Sequence, residues 1–233
     1  MSERVFLEVR TEQFAKIFNK ATEQEKEVLG EMHLHYEREF DRLKHQHAAD
    51  PYNVAHSINL LVDDSVAQLL ARHPRAREVK CKAGCAACCH LHVGITLQEA
   101  VLLVVAAENA GIEIDWQLVQ RQARWTFKQW GEQKARDRRC VFLGPGALCS
   151  VYESRPVPCR KYMVLSDPKH CDTVKFPGAK VLNMLAPEAE VIGSAMRGPF
   201  EGGSMPKMLL KAREWIAAQI AAQSAQCSDG SSS

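Results

Sequence analysis

Residues 54–73, VAHSINLLVDDSVAQLLARH, place apolar side chains at Ile58, Leu61, Val62, Val66, Leu69 and Leu70. Spacings of three and four draw one helical face, and Pro74 ends it. Upstream, Thr22 and Glu25 form a capping-box pair. It opens a charged, weakly periodic run that Asp50-Pro51 breaks. Thr96 and Glu99 repeat the pair ahead of the apolar run to Ala107, with Gly111 as a stop. Asp115 caps a further helix predicted over 116–139, whose basic last turn, Lys134 to Arg139, reads as a solvated helix end. Glycines and prolines then punctuate 140–171. Short strands are expected at Val141–Leu143 and Leu148–Val151 around a GPGA turn. Residues 205–223 read as an amphipathic helix, and the chain closes on SDGSSS, a disordered tail.

The pattern divides the chain into a helical N-terminal extension (1–78), a cysteine-cluster domain (79–172), a C-terminal region with an amphipathic helix (173–224) and a disordered tail (225–233). The extension could equally be part of one helical bundle. The expected fold is mainly α, with a small cysteine-rich loop region and little strand.

Composition narrows the function classes. Thirty basic and 28 acidic residues give a net charge of +2, which offers no electrostatic case for nucleic acid or an anionic membrane. The first residues lack the apolar core of a signal peptide. No apolar stretch reaches the roughly 18 residues of a membrane span. The expected setting is the cytoplasm. There, nine cysteines are more readily metal ligands or redox groups than disulfides.

The first cysteine set is Cys81, Cys85, Cys88 and Cys89. At about 100° per residue these fall within roughly a third of a helical wheel. A strand would send Cys88 and Cys89 to opposite faces. A helical or tightly turned backbone therefore brings the four thiols near one centre. The second set is Cys140, Cys149, Cys159 and Cys171. Its gaps are too wide for one local knuckle and suit a loop that completes a site begun by the first. Four thiolates satisfy a tetrahedral zinc or a [4Fe–4S] cluster. Eight can hold two zinc ions, or one cluster with thiols to spare. Their negative charge calls for cations and donors around them. Lys82, Lys161 and above all Arg155 and Arg160, which bracket Cys159, are candidates, together with Tyr152.

These motifs carry a resemblance. The first set, with CVFL from Cys140 and CSVYESRPVPCR from Cys149 to Arg160, resembles the CxxCxxCC family of zinc- or iron-chelating proteins. The first gap here is three residues rather than two, and Cys227 matches nothing in it. The likeness covers roughly 79–172 and implies binding of zinc or iron by the eight matched cysteines. The family also looks related to flagellin lysine N-methylases, but nothing outside the cysteine core supports carrying methyl transfer across.

Other readings stay open. Cys81, Cys85 and Cys88 have the CxxxCxxC spacing of radical S-adenosylmethionine enzymes, although alternating strands and helices are missing. A redox role for Cys88-Cys89 lacks a thioredoxin-like context. A closed structural zinc site would do no chemistry. The sequence offers no acid–base pair or nucleophile, so catalysis and catalytic residues are left undetermined, as is any protein partner. His90, His92 and His170 are spare candidate ligands. His33, His35, His45 and His47 read as exposed helix residues, and Trp116, Trp125 and Trp130 as core. The function expected is a metal-binding protein holding zinc or iron, with an iron–sulfur enzyme of methyltransferase-like or radical type as the alternative.

Overall fold

The computed structural model describes residues 12–48, 50–172, 175–176 and 178–229. The absence of a signal peptide, expected over the first residues, and the tail beyond Asp229 lie outside them. The described residues are mainly helical, with four short strands among them. Helix α1 (Glu12–Lys20) leads into α2 (Glu23–Gln46), which opens on the complete Thr22–Glu25 capping box. Asp50 caps α3 (Pro51–Arg72) by accepting from the Asn53 amide at 3.0 Å. Pro51 sits at the helix start, where its missing N–H costs nothing.

Only part of the predicted α3 face is buried. Ile58 and Val62 are fully covered, as are Val54 and Ala55, whereas Leu61 and Leu70 are 42% and 37% exposed. Those two lie about 80–100° from the centre of the buried stripe. Helix α4 (Leu97–Asn109) packs against α3, and α5 (Trp116–Ala123) follows it. The single helix expected over 116–139 is broken. Thr126 accepts from the Gln129 amide in a new capping box and starts α6 (Phe127–Glu132). A capping pair inside a helical pattern offers the backbone a local alternative, and here it is taken. Turns follow from Lys134. The expected helix end is therefore corrected: Lys134, Arg136 and Arg139 are exposed as read, but on a turn, and Arg138 is buried at 4% exposure.

Strand β1 (Gly94–Thr96) pairs antiparallel with β4 (Gly202–Ser204), Ile95 opposite Gly203. The two-residue strands β2 (Met163–Val164) and β3 (Asn183–Met184) pair likewise. Of the hairpin expected over 141–151, one bridge forms, Leu143 to Cys149. Helix α7 (Val157–Arg160) is a single turn, α8 (Pro187–Ala195) packs on α2 and α3, and α9 (Met205–Asp229) packs on α4 and α5. The last helix thus runs past residue 223.

Two apolar clusters result. One joins α4 and α9 through Leu103, Val104, Met208 and Leu209, with Ile95 and Phe142. The other joins Phe40, Val54, Ile58 and Val62 to Val157, Met163, Met184, Ile192 and Phe200. Helices α2 and α3 therefore share a core with residues 157–200. His33 is 1% exposed, stacks on Phe14 and pairs its Nε2 with Ser194 Oγ at 3.2 Å. That corrects its expected exposure: α8 covers this face of α2. Trp130 is buried as expected. Among the described residues no helix is long and apolar enough to cross a membrane.

Candidate metal centre

The first cysteine set lies on a turn rather than a regular helix. Gly84 adopts φ +81°, a left-handed conformation that glycine takes without steric cost. It turns the chain between Cys81 and Cys85 before a short 3-10 turn, Ala87–His90. The Lys80 amide donates to the Val164 carbonyl at 2.8 Å, laying this segment beside β2. The Cys140 amide donates to the Cys89 carbonyl at 2.8 Å and joins the two sets through the backbone. Trp130 Nε1 donates to the His90 carbonyl at 3.0 Å and holds the turn from above.

All eight cysteines of the two sets line one cavity of about 830 Å³, and all eight are free thiols. The structure so brings together every residue expected to ligate. The side chain of Cys227 lies outside the described residues. Among the described residues, no group of three or more His, Cys, Asp or Glu side chains is placed to hold a metal ion. The sulfurs face a shared space rather than a single point.

Cys88 lines that space and interacts with thiols of both sets. Its charge is felt by Cys81, Cys140, Cys149, Cys159 and Cys171. Cys85 interacts with Cys81 and Cys171, while Cys140, Cys149 and Cys159 interact with one another and with Cys88. Burial pushes the Cys140 thiol up to about 12. Burial and then the neighbouring thiols raise Cys159. The hydrogen bond with Cys89, then burial, raises Cys88.

Donors to sulfur are already aimed. The Val164 amide reaches Cys81 Sγ at 3.4 Å. The Phe142 and Val151 amides donate to Cys140 and Cys149, two residues back along the chain in each case. The Tyr162 hydroxyl donates to Cys171. Such bonds favour the thiolate over the thiol. Arg155 lines the cavity, and its charge reaches Cys81, Cys88, Cys149 and Cys159. Its guanidinium lies 3.5 Å over the Tyr152 ring, which also lines the cavity. Arg160 is used differently. It donates to Asp63 Oδ2 at 2.5 Å and to the carbonyls of Arg155 and Glu153, so it fastens the Cys159 loop to α3.

Glu99 and Tyr162 were not legible as site residues. Glu99 closes its capping box, accepting from Thr96 N at 2.7 Å and Oγ1 at 3.0 Å. Its other oxygen takes the Val157 amide at 2.8 Å, at the start of the turn that carries Cys159. Burial pushes its carboxyl up. Lys161 pairs with Glu190 inside the fold, and both line the cavity. His90 and His92 lie beside the cluster. His92 packs edge-on against Trp130, and its burial lowers its proton affinity. His170 packs on Phe176.

A family model, CxxCxxCC, described as a "putative zinc- or iron-chelating domain", matches residues 80–176. The matched segment contains both cysteine sets, and its description supports metal binding. No curated protein and no solved structure matches the chain.

Proposed function

We propose that this protein binds zinc or iron in a reducing, cytoplasmic setting through the thiolates of Cys81, Cys85, Cys88, Cys89, Cys140, Cys149, Cys159 and Cys171. The observation that carries this is the convergence of all eight free thiols on one cavity. The donor chemistry fits. Soft sulfur ligands suit zinc, iron or a [4Fe–4S] cluster, and amide and hydroxyl donors already point at four of the sulfurs. Arg155, resting on Tyr152, offsets the thiolate charge, and Arg160 holds the loop that presents Cys159.

A second reading draws on the size of the cavity, about 830 Å³, which is that of a small-molecule site. An iron–sulfur enzyme, methyltransferase-like or of radical type on Cys81, Cys85 and Cys88, would share this space with a substrate.

Metal analysis and visible absorption after air-free purification decide between them. About four irons per chain with a broad band near 400 nm mean a cluster. One or two zinc ions and a colourless sample mean a chelating or structural module. Free thiols with neither metal overturn the proposal.

A further inference from the structure

Arg138 carries a buried charge that the fold leaves unanswered. It is 4% exposed, and its Nε has no hydrogen-bond partner. The guanidinium takes part in no ion pair or side-chain hydrogen bond with the described residues. The neighbouring carboxylate, Asp137, pairs with Arg136 at 3.8 Å. Gln122 holds the turn by donating to the carbonyls of Asp137 and Arg139, so the position of Arg138 is fixed by others. A buried cation without a partner is costly and is stabilised by an anion.

Arg138 stands between two cavities. With Cys85, Leu91 and Cys171 it forms a wall common to the thiol cavity and to a second one of about 460 Å³. The second cavity is also lined by His90 and Lys169. Its acidic residue, Asp172, accepts from the Lys175 amide at 3.1 Å and pairs with the Lys175 ammonium at 3.8 Å. Lys169 pairs with Asp167 at 2.9 Å, so among the described lining residues Arg138 is the cation available to a ligand.

We propose that the second cavity binds a small molecule through an oxyanion, carboxylate or phosphate, with Arg138 as the anchoring cation. The planar fork of a guanidinium matches both groups, and the volume suits a small ligand. The site goes beyond the metal reading, although it shares Cys85 and Cys171 with the thiol cavity.

The test uses the full chain, with metal content recorded. Melting temperature is followed against inorganic phosphate and against acetate, each compared with chloride at equal ionic strength. A saturable rise with one of them is expected in the wild type, and the responding anion identifies the group. Arg138→Met should weaken the response at least tenfold. In chloride it should melt no lower than wild type, because an unpaired buried charge has been removed. Arg138→Lys keeps the charge without the fork and should bind several-fold more weakly, which retains a test if the methionine variant fails to fold. No wild-type response beyond chloride, an unchanged response in either variant, or a lower melting point of Arg138→Met in chloride overturns the proposal. Loss of metal from every sample would sink the metal reading and leave this result standing.

Discussion

Among the sulfurs, Cys88 acts on thiols throughout both sets, Cys81, Cys140, Cys149, Cys159 and Cys171, whereas Cys85 acts on Cys81 and Cys171. Cys88→Ser is therefore expected to lower metal content more than Cys85→Ser, and metal analysis of the two variants checks it. Cys140 adds a pH dependence. Its folded thiol is pushed up to about 12, whereas an ordinary thiol titrates near about 8.5. Between those values the unfolded chain sheds the proton that the folded chain keeps. The contribution to stability is thus complete below the ordinary value and is lost as pH rises toward the folded one. Metal-free protein should weaken in urea from about pH 8.5 upward, and Cys140→Ser should flatten that slope. Glu99→Ala leaves three donors without an acceptor and is expected to cost about 2–4 kcal/mol, read by urea unfolding. The cysteines could be read from the sequence because their spacing is itself the signal. Half of Glu99 could be read as well, since Thr96 is three residues away. Its bond to Val157 spans 58 residues, and no local pattern encodes it. Arg138 looked solvated for the same reason: its neighbours were judged by a helix that the fold does not make.

At the level of elements, the sequence located helix starts better than helix continuity. The capping boxes at Thr22 and Thr96 form as read. Periodicity alone could not show that Thr126 would open a third and divide the 116–139 segment. Thr126→Ala should cost about 1 kcal/mol and loosen α6, together with the Trp130 contact to the His90 carbonyl. The loop through Cys159 depends on the Arg160–Asp63 pair, in which Arg160 is 5% exposed and Asp63 is 52% exposed. Asp63→Ala leaves that guanidinium with carbonyl partners only. Faster amide hydrogen exchange over 153–160, with α4 unchanged, is the expected outcome.

For the whole molecule, the cavity lies between two apolar clusters, one built on α4 and α9, the other on α3 and α8. These clusters are built mainly on helices, with Cys140 and Cys149 at the edge of the first. Metal removal by a chelator should therefore raise hydrogen exchange across 81–90 and 140–171 while α3 and α4 stay protected. Equal protection before and after removal would mean that the metal does not order the site. The helical class was legible from periodicity and caps. The sharing of a core between residues 40–62 and residues 157–200 was not, because amphipathic faces do not name their partners.

The backbone bond from Cys140 to Cys89, with Cys171 further downstream, also orders events during synthesis. Ribosomes add about 5–20 residues per second, so roughly 80 residues separate Cys89 from Cys171 by about 4–16 s. Until Cys140 is added the nascent chain displays Cys81, Cys85, Cys88 and Cys89 without any counterpart, and until Cys171 without the full set. Metal captured before Cys140 is added would be held by half a site, so correct loading belongs to the stage after Cys171 has been added.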